Sequence, residues 1–359
     1  MKIVIAMSGG VDSSVAAALL AEQGHEVIGL SMQLYDQAGG ETSFGSCCSI
    51  DDLHDARRVA NAIGIPHYIL NFEREFDEQV VSNFVREYSA GRTPIPCARC
   101  NSDLKFATLA ERAAGFGAHA VATGHYARVE RDDQTGKILL KRGLDTSKDQ
   151  AYFLFSLTQE QLARAVFPVG HVTKDVVRDY ARRFDLPVAE KPDSQEICFV
   201  PDDDYASFVA KRAPGAAIAG TIVDEEGHTV GRHDGIHRFT VGQRKGLGLA
   251  GSPDGAPRYV VALRPVDHQV VVGPRASLER TTLTASGVNW IGGRPTGPVR
   301  VTAQIRHRHQ PAPGVVCPVG TADAARAELT FDQPQVAITP GQAVVFYDDD
   351  VVVGGGWID

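Results

Sequence analysis

Ser8-Gly9-Gly10-Val11-Asp12-Ser13-Ser14 follows directly on the apolar run Lys2-Ile3-Val4-Ile5-Ala6-Met7 and leads into an alanine-rich stretch, residues 13–22. Together they predict a strand, a glycine turn and a helix. Two adjacent glycines let the backbone approach a phosphate with no Cβ in the way. The helix start behind them presents N–H groups without intrahelical partners and a partial positive charge. Ser8, Ser13 and Ser14 add hydroxyl donors, and Asp12 is placed to hold Mg²⁺ against the phosphates. The string is neither a Gly-Lys-Ser/Thr loop nor a Gly-x-Gly-x-x-Gly turn. A bare Gly-Gly would be only a strand–turn–helix joint. The whole string, directly after a strand, points to a nucleotide.

Outward from this turn the pattern repeats. Apolar runs at 26–32, 65–70 and 118–123 predict further strands. Helices are expected at 50–62, 76–88, 104–114 and 174–184, the first opened by a capping box at Ser49-Ile50-Asp51-Asp52. Strands separated by helices predict an α/β, Rossmann-like parallel sheet whose ligands sit at the carboxyl ends of the strands. After Pro214 glycine and proline become frequent. Short strands are expected at 218–223, 259–263, 269–272, 299–305 and 344–347. They predict a small β-rich module and then an all-β barrel or sandwich. The expected domains are 1–205, 206–275 and 276–359, in keeping with two to three domains for 359 residues.

Hydrophobic residues at 43% and charged residues at 22% are ordinary globular values and argue against a disordered chain. No apolar run is long enough for a membrane-spanning helix, and residues 1–7 read as a strand rather than a signal peptide. The expected location is the cytoplasm. The net charge of −8 gives no global sign of nucleic-acid binding. Phosphate contacts need only a local basic patch, however. Gln243-Arg244-Lys245-Gly246 is such a patch, and so is the run with Arg300, Arg306, His307, Arg308 and His309. By composition alone, both read as solvated surface.

Six cysteines are present. Cys97-Ala98-Arg99-Cys100 follows Thr93-Pro94-Ile95-Pro96, and the prolines predict an extended or turning loop at the pair. A C-x-x-C supports a redox dithiol, a metal pair or chance. A four-cysteine zinc site would need a second such pair, which the sequence lacks. Cys198 stands alone in Ile197-Cys198-Phe199. Cys47 and Cys48 read as loop thiols, and Cys317 as a buried small hydrophobe.

Longer strings carry a resemblance. The glycine turn is similar to the PP-loop of ATP pyrophosphatases. Gly91-Arg92-Thr93-Pro94, Cys100-Asn101, Ala122-Thr123-Gly124-His125-Tyr126 and Lys148-Asp149-Gln150-Ala151-Tyr152 extend the match. So do Phe167-Pro168-Val169-Gly170, Gly242-Gln243-Arg244-Lys245-Gly246 and Thr339-Pro340-Gly341-Gln342. The chain resembles the tRNA-specific 2-thiouridylases over nearly its whole length.

The resemblance implies a PP-loop domain, a small central domain and a C-terminal β-barrel. It implies ATP-dependent thiolation at C2 of the wobble uridine of tRNA. Uracil O2 would be adenylated, sulfur would displace AMP, and pyrophosphate would be released. Ala6, Met7, Ser8, Gly9, Gly10, Val11, Asp12, Ser13, Met32 and Gly124 match the ATP site. On its own pattern Met32 reads as core, and His125 as a loop histidine. Ile95, Pro96 and Cys97 match the loop against the target base, and His125 a residue near nucleotide and tRNA. Lys148, Asp149, Gln150, Arg306, His307 and Gln342 match tRNA contacts. Cys198 matches the position that carries a persulfide, and Cys100 the thiol that resolves it to a Cys100–Cys198 disulfide. Cys97 stands where other members have aspartate. In members that share the C-x-x-C, Cys97, Cys100 and Cys198 would ligate a [4Fe–4S] cluster with one iron open to sulfur. Expected partners are tRNAs of the lysine, glutamate and glutamine acceptors, and a cysteine desulfurase or sulfur-relay protein as donor. No membrane partner is expected. The rival readings are a PP-loop enzyme that adenylates a small substrate and a non-catalytic ATP- or cluster-binding tRNA regulator.

Overall fold

The computed structural model describes residues 1–35, 50–193, 197–200, 204–249, 255–321 and 325–359. Ser49, Cys47, Cys48 and Ser194 lie outside them. The chain divides into two compact units. One comprises Met1–Val81, Pro96–Asp203 and Asp350–Val353, and the other Ser82–Ile95, Asp204–Asp349 and Gly354–Asp359. Among the described residues no helix is long and apolar enough to cross a membrane.

The first unit is built on β1 (Lys2–Ala6), α1 (Val11–Glu22), β2 (Glu26–Gln33), α2 (Ile50–Ile63), β3 (His67–Asn71) and β4 (Ala120–Ala122). The sheet runs β3-β2-β1-β4, followed by the short strand Ala165–Val166, and every pairing is parallel. The chain moves from β1 towards β3 and then returns to the other side of β1. The carboxyl end of β1 is therefore a topological switch point, where such sheets bind ligands. Helix α1 buries Val15, Ala16, Ala17, Ala18 and Leu20, so it is apolar nearly all round. Its small side chains let it lie between the sheet, α2 and the helix Lys174–Arg183. Thr173 caps that helix by accepting from the Val176 N–H.

Two expected helices differ in form. The one expected at 76–88 is a run of Glu73–Phe76, a wide π-type turn at Asp77–Val81, and Ser82–Ser89. The one expected at 104–114 begins earlier. Pro96–Arg99 is already helical, Cys100–Thr108 is wide-turned, and Leu109–Gly115 completes it. The loop expected at the cysteine pair is thus corrected to a helix start. Proline suits the first helical position, where its missing N–H has no intrahelical role, and only the residues before it stay extended.

In the second unit Phe84 and Tyr88 pack with Phe208 and Tyr205, the two tyrosine rings stacked at 4.7 Å. A four-stranded sheet has the order Tyr259–Arg264, Gln269–Gly273, Gly220–Val223 and Thr229–His233. Ile222, Ile236, Phe239, Val260, Val270 and Val272 form its core. A six-stranded barrel follows in the order Glu279–Trp290, Arg326–Val336, Ala312–Val319, Val299–Gln304, Ala343–Asp348 and Val351–Ile358. Pairing of Ala285 with Ile358 and of Trp290 with Gly354 closes it. Cys317 is half-buried on a barrel strand, opposite Glu328, and is not the fully buried hydrophobe expected.

Candidate active site

The glycine turn leaves β1 under close constraint. Met7 donates its N–H to the Leu30 carbonyl at 2.8 Å and accepts the Ser31 hydroxyl at 2.7 Å. Gly9 has φ of +75°, and a Cβ there would lie 2.2 Å from the Asp52 carbonyl oxygen. Gly10 is the extended N-cap of α1 and brings no side-chain cap. The first N–H groups of α1 are therefore left for an anion. Gly124, just past β4, crosses the start of α1 so closely that a Cβ would meet the Ser13 nitrogen at 2.5 Å. Met32 is 7% exposed, near the end of β2.

The hydroxyls do not all behave as expected. Ser14 is fully buried and donates to the Gly10 carbonyl at 2.8 Å. Ser13 donates to the same carbonyl at 3.1 Å and accepts the Ser8 N–H at 3.2 Å. Helical serines commonly bond back to the preceding turn. Ser8 is exposed, and its hydroxyl shares a 3.2 Å hydrogen bond with that of Ser13.

Behind the turn lies an ion network. Asp12 Oδ1 accepts the Tyr126 hydroxyl and the Lys174 ammonium, each at 2.7 Å. Lys174 also lies 2.7 Å from Asp193, whose other oxygen accepts Lys148 at 2.8 Å. Arg178 reaches Asp193 at 3.3 Å and the carbonyls of Ala189 and Lys191. Burial alone would raise the Asp193 pKa, but its bonds to Lys148 and Lys174 win and hold it below the ordinary value. Burial, and after it the charge of Asp12, pushes the Tyr126 phenol well up, so it stays a donor. Lys191 forms a second tie, to the Gly9 carbonyl at 3.2 Å, Asp52 at 2.5 Å and Asp55 at 2.6 Å. A Mg²⁺ at Asp12 would compete with a lysine for the carboxylate.

Cys97 is exposed and Cys100 half-buried, three apart on one helical run and so on neighbouring positions of its face. Asn101 holds the run by donating to the Phe153 carbonyl and accepting from Lys105. Cys198 is half-buried in a turn closed by Val200 N–H to the Ile197 carbonyl. Phe199 packs edge-on against Phe76 at 5.4 Å, which fastens this turn within the first unit. Among the described residues, the acid, histidine and thiol groups whose ligand atoms gather within 4.8 Å are Asp224, Glu226 and His228. The three cysteines therefore do not surround a single ion. A cube-shaped cluster holds its ligands further apart, and an all-thiol donor set suits it.

The remaining candidates are distributed over both units. Lys148 pairs with Asp193. The Asp149 carboxylate accepts from Arg142, Gly143 and Ala151, and Gln150 accepts the Tyr126 N–H. Pro96 is buried at the helix start, and Ile95 is buried in the second unit. There Arg306 and His307 sit in an exposed turn, held from beneath by the buried Gln304 amide on both their carbonyls. Gln342 donates to the Thr93 carbonyl at 3.0 Å. His125 shares a 2.7 Å hydrogen bond with Thr123.

Burial, aided by the charge of Lys105, pushes the His125 pKa well below its ordinary value of 6.5. Burial also lowers His67, His233, His237 and His309 from 6.5. A histidine with a depressed folded pKa contributes full stability above 6.5 and loses it as pH falls through the folded value. Thermal midpoints should thus be flat from pH 8 to pH 7 and drop steadily below about pH 6.5. A midpoint that rose between pH 6.5 and pH 5.5 would contradict this sign.

Lys174, Tyr126, Lys191 and Gln304 were not singled out from the sequence. The signals were faint: Lys174 opens a capped helix, and Lys191 and Asp193 flank a proline.

A parallel sheet with a glycine turn and a helix start at the carboxyl end of its middle strand defines a nucleotide-binding α/β domain. The model for the tRNA methyl transferase HUP domain matches residues 1–202. The tRNA methyl transferase PRC-barrel domain matches 206–274, and the aminomethyltransferase beta-barrel domain 280–358. The tRNA-specific 2-thiouridylase MnmA of Solibacter usitatus is 53% identical over 372 residues, covering 99% of each chain. That of Geotalea uraniireducens is 52% identical over 362 residues, covering 100% of this chain and 95% of its own. The chain belongs to the tRNA-specific 2-thiouridylase family.

Proposed function

We propose that the protein is an ATP-dependent tRNA-uridine 2-sulfurtransferase that thiolates the wobble uridine. The observation that carries this is the family likeness, which runs the full length of the chain. The glycine turn supplies the physical basis for its ATP step. Residues 1–205 would carry the chemistry, with 206–275 as a small central domain and 276–359 as the tRNA-contacting barrel. The N–H groups after Gly10 would take the phosphates, with Met32 and Gly124 lining the nucleotide and Asp12 near Mg²⁺. The target uridine would leave its stack to reach this site. Ile95, Pro96, Cys97 and His125 would meet it, while Lys148, Asp149, Gln150, Arg306, His307 and Gln342 would hold the tRNA.

Uracil O2 would attack the α-phosphorus, and pyrophosphate would leave. This turns a carbonyl oxygen into a leaving group. In the persulfide route, the Cys100 thiolate attacks Cys198 Sγ and forms a disulfide. The outer sulfur departs with the bond pair and attacks C2, and AMP leaves. The two thiols supply the two electrons that sulfur gains, so an external dithiol must reduce Cys100–Cys198 before the next round. In the alternative, Cys97, Cys100 and Cys198 would hold a [4Fe–4S] cluster, whose open iron would supply a binding point for sulfur.

The decisive assay combines unmodified tRNA, Mg·ATP and a desulfurase or sulfide. It reads thiolated nucleoside by mass and pyrophosphate release together. Pyrophosphate without tRNA would mark a small-substrate PP-loop enzyme. Binding of both ligands without pyrophosphate would mark a regulator. Iron analysis on protein prepared without oxygen separates the two sulfur routes. The cluster route predicts about four irons per chain, lost together with thiolation in Cys97→Ser. Full anaerobic thiolation by Cys97→Ser would exclude that route.

A further inference from the structure

Lys174 has a role that the ATP and sulfur steps do not assign. Its side chain is 10% exposed, and its ammonium lies 2.7 Å from both Asp12 and Asp193. Asp12 stands in the first turn after the glycine loop. Asp193 precedes Cys198 by five positions. The root of the lysine is fixed, since its N–H donates to Asp145 at 2.9 Å in the capped first turn of its helix. The Asp193 segment is held as well, by Arg178 on the carbonyls of Ala189 and Lys191 and by Lys191 on the Gly9 carbonyl. One buried cation thus joins the start of the phosphate-binding helix to the segment that leads to a sulfur-bearing cysteine.

We propose that Lys174 is a positioning residue that couples nucleotide occupancy of the glycine turn to the presentation of Cys198. Mg·ATP competes for the Asp12 carboxylate and alters the share of the ammonium left to Asp193. The Asp193 segment responds because Lys174 shares one Asp193 oxygen with Arg178, while Lys148 holds the other. Coupling of this kind is reciprocal, so the state of the Cys198 segment also sets ATP affinity.

This rests on the reading that the glycine turn binds ATP, and the test separates the two. The rate of Cys198 alkylation is followed by peptide mass in the full chain, with and without saturating Mg·ATP. Cys100 is the internal reference, and ATP binding is measured in the same samples. In the native protein Mg·ATP should change the Cys198 rate about fivefold or more. Lys174→Met should remove that change at saturating ATP and leave the Cys100 rate as it was. Lys174→Arg should restore part of it, which a merely structural loss would not allow. If Lys174→Met does not fold, Asp193→Asn cuts the far end of the link and should give the same loss. A nucleotide effect of native size in Lys174→Met or Asp193→Asn overturns the coupling. So does ATP binding without any effect on Cys198 in the native protein. Absence of ATP binding in the native protein instead overturns the functional reading.

Discussion

Cys198→Ser is expected to lower 2-thiouridine formation by about 10³-fold or more, because the proposed chemistry has this thiol either carry the sulfur or hold the cluster that binds it. Both sulfur routes require this thiol, so the expectation does not depend on which one operates. The adenylation half should survive. Cys198 is half-buried in a turn closed through its neighbours' backbone, and serine keeps the same shape. Folding stability should change by no more than about 1 kcal/mol. Tracking pyrophosphate and thiolated nucleoside in one reaction checks both halves. Thiolation at a native rate in Cys198→Ser would remove this residue from the mechanism. Loss of pyrophosphate release along with it would place the cysteine in the first step.

Gly9→Ala is the second large effect, and it acts at the other end of the reaction. The positive φ alone costs alanine about 1–2 kcal/mol. The new Cβ would also fall 2.2 Å from the Asp52 carbonyl oxygen, a backbone atom at the start of α2 that cannot swing aside. Forcing such a contact apart costs about 1–3 kcal/mol more. Lys191 bridges Gly9 and Asp52, so the shift would also disturb its ion pairs. Moving the turn by enough to relieve about 3 kcal/mol would weaken ATP binding about a hundredfold. Gly10→Ala is the control for stability. Its Cβ would meet nothing nearer than the Ser8 hydroxyl at 3.5 Å, and its φ of −89° suits any residue. Its thermal midpoint should stay near the native value while that of Gly9→Ala falls. Equal midpoints for the two variants would contradict the steric argument.

The parallel sheet and its glycine turn were legible because local pattern dictates both. An apolar run, two glycines and an alanine-rich helix lie adjacent in the chain, and no distant partner is needed to interpret them. The partners of the serine hydroxyls are not legible in the sequence for the opposite reason. Whether Ser14 points to a phosphate or back at Gly10 is decided by the helix it sits in, not by its neighbours in sequence. Proline at 96 reads as a loop signal in the sequence, yet it equally suits the first helical position it occupies. The Lys174 bridge could not be seen at all, since Asp12 lies 162 positions away.

Barrel strands such as Glu279–Trp290 and Val351–Ile358 are hard to read in the sequence because glycines interrupt their apolar pattern. Gly354 and Gly356 sit within a strand, where a Cβ would meet the Asn289 carbonyl at 2.4 Å and Val288 at 2.8 Å. They mark close strand packing rather than turns.

That closing strand has a consequence for biosynthesis. Glu279–Trp290 leaves the ribosome well before its partner Val351–Ile358, and the barrel has no seam partner until the latter is made. During that interval the nascent chain carries two open sheet edges, the usual sites of mispairing between chains. A premature stop or a cleavage just before residue 351 would make those edges permanent. The product would keep every strand of its parallel sheet, but lose the last residues of the first unit and carry unpaired barrel edges open to mispairing.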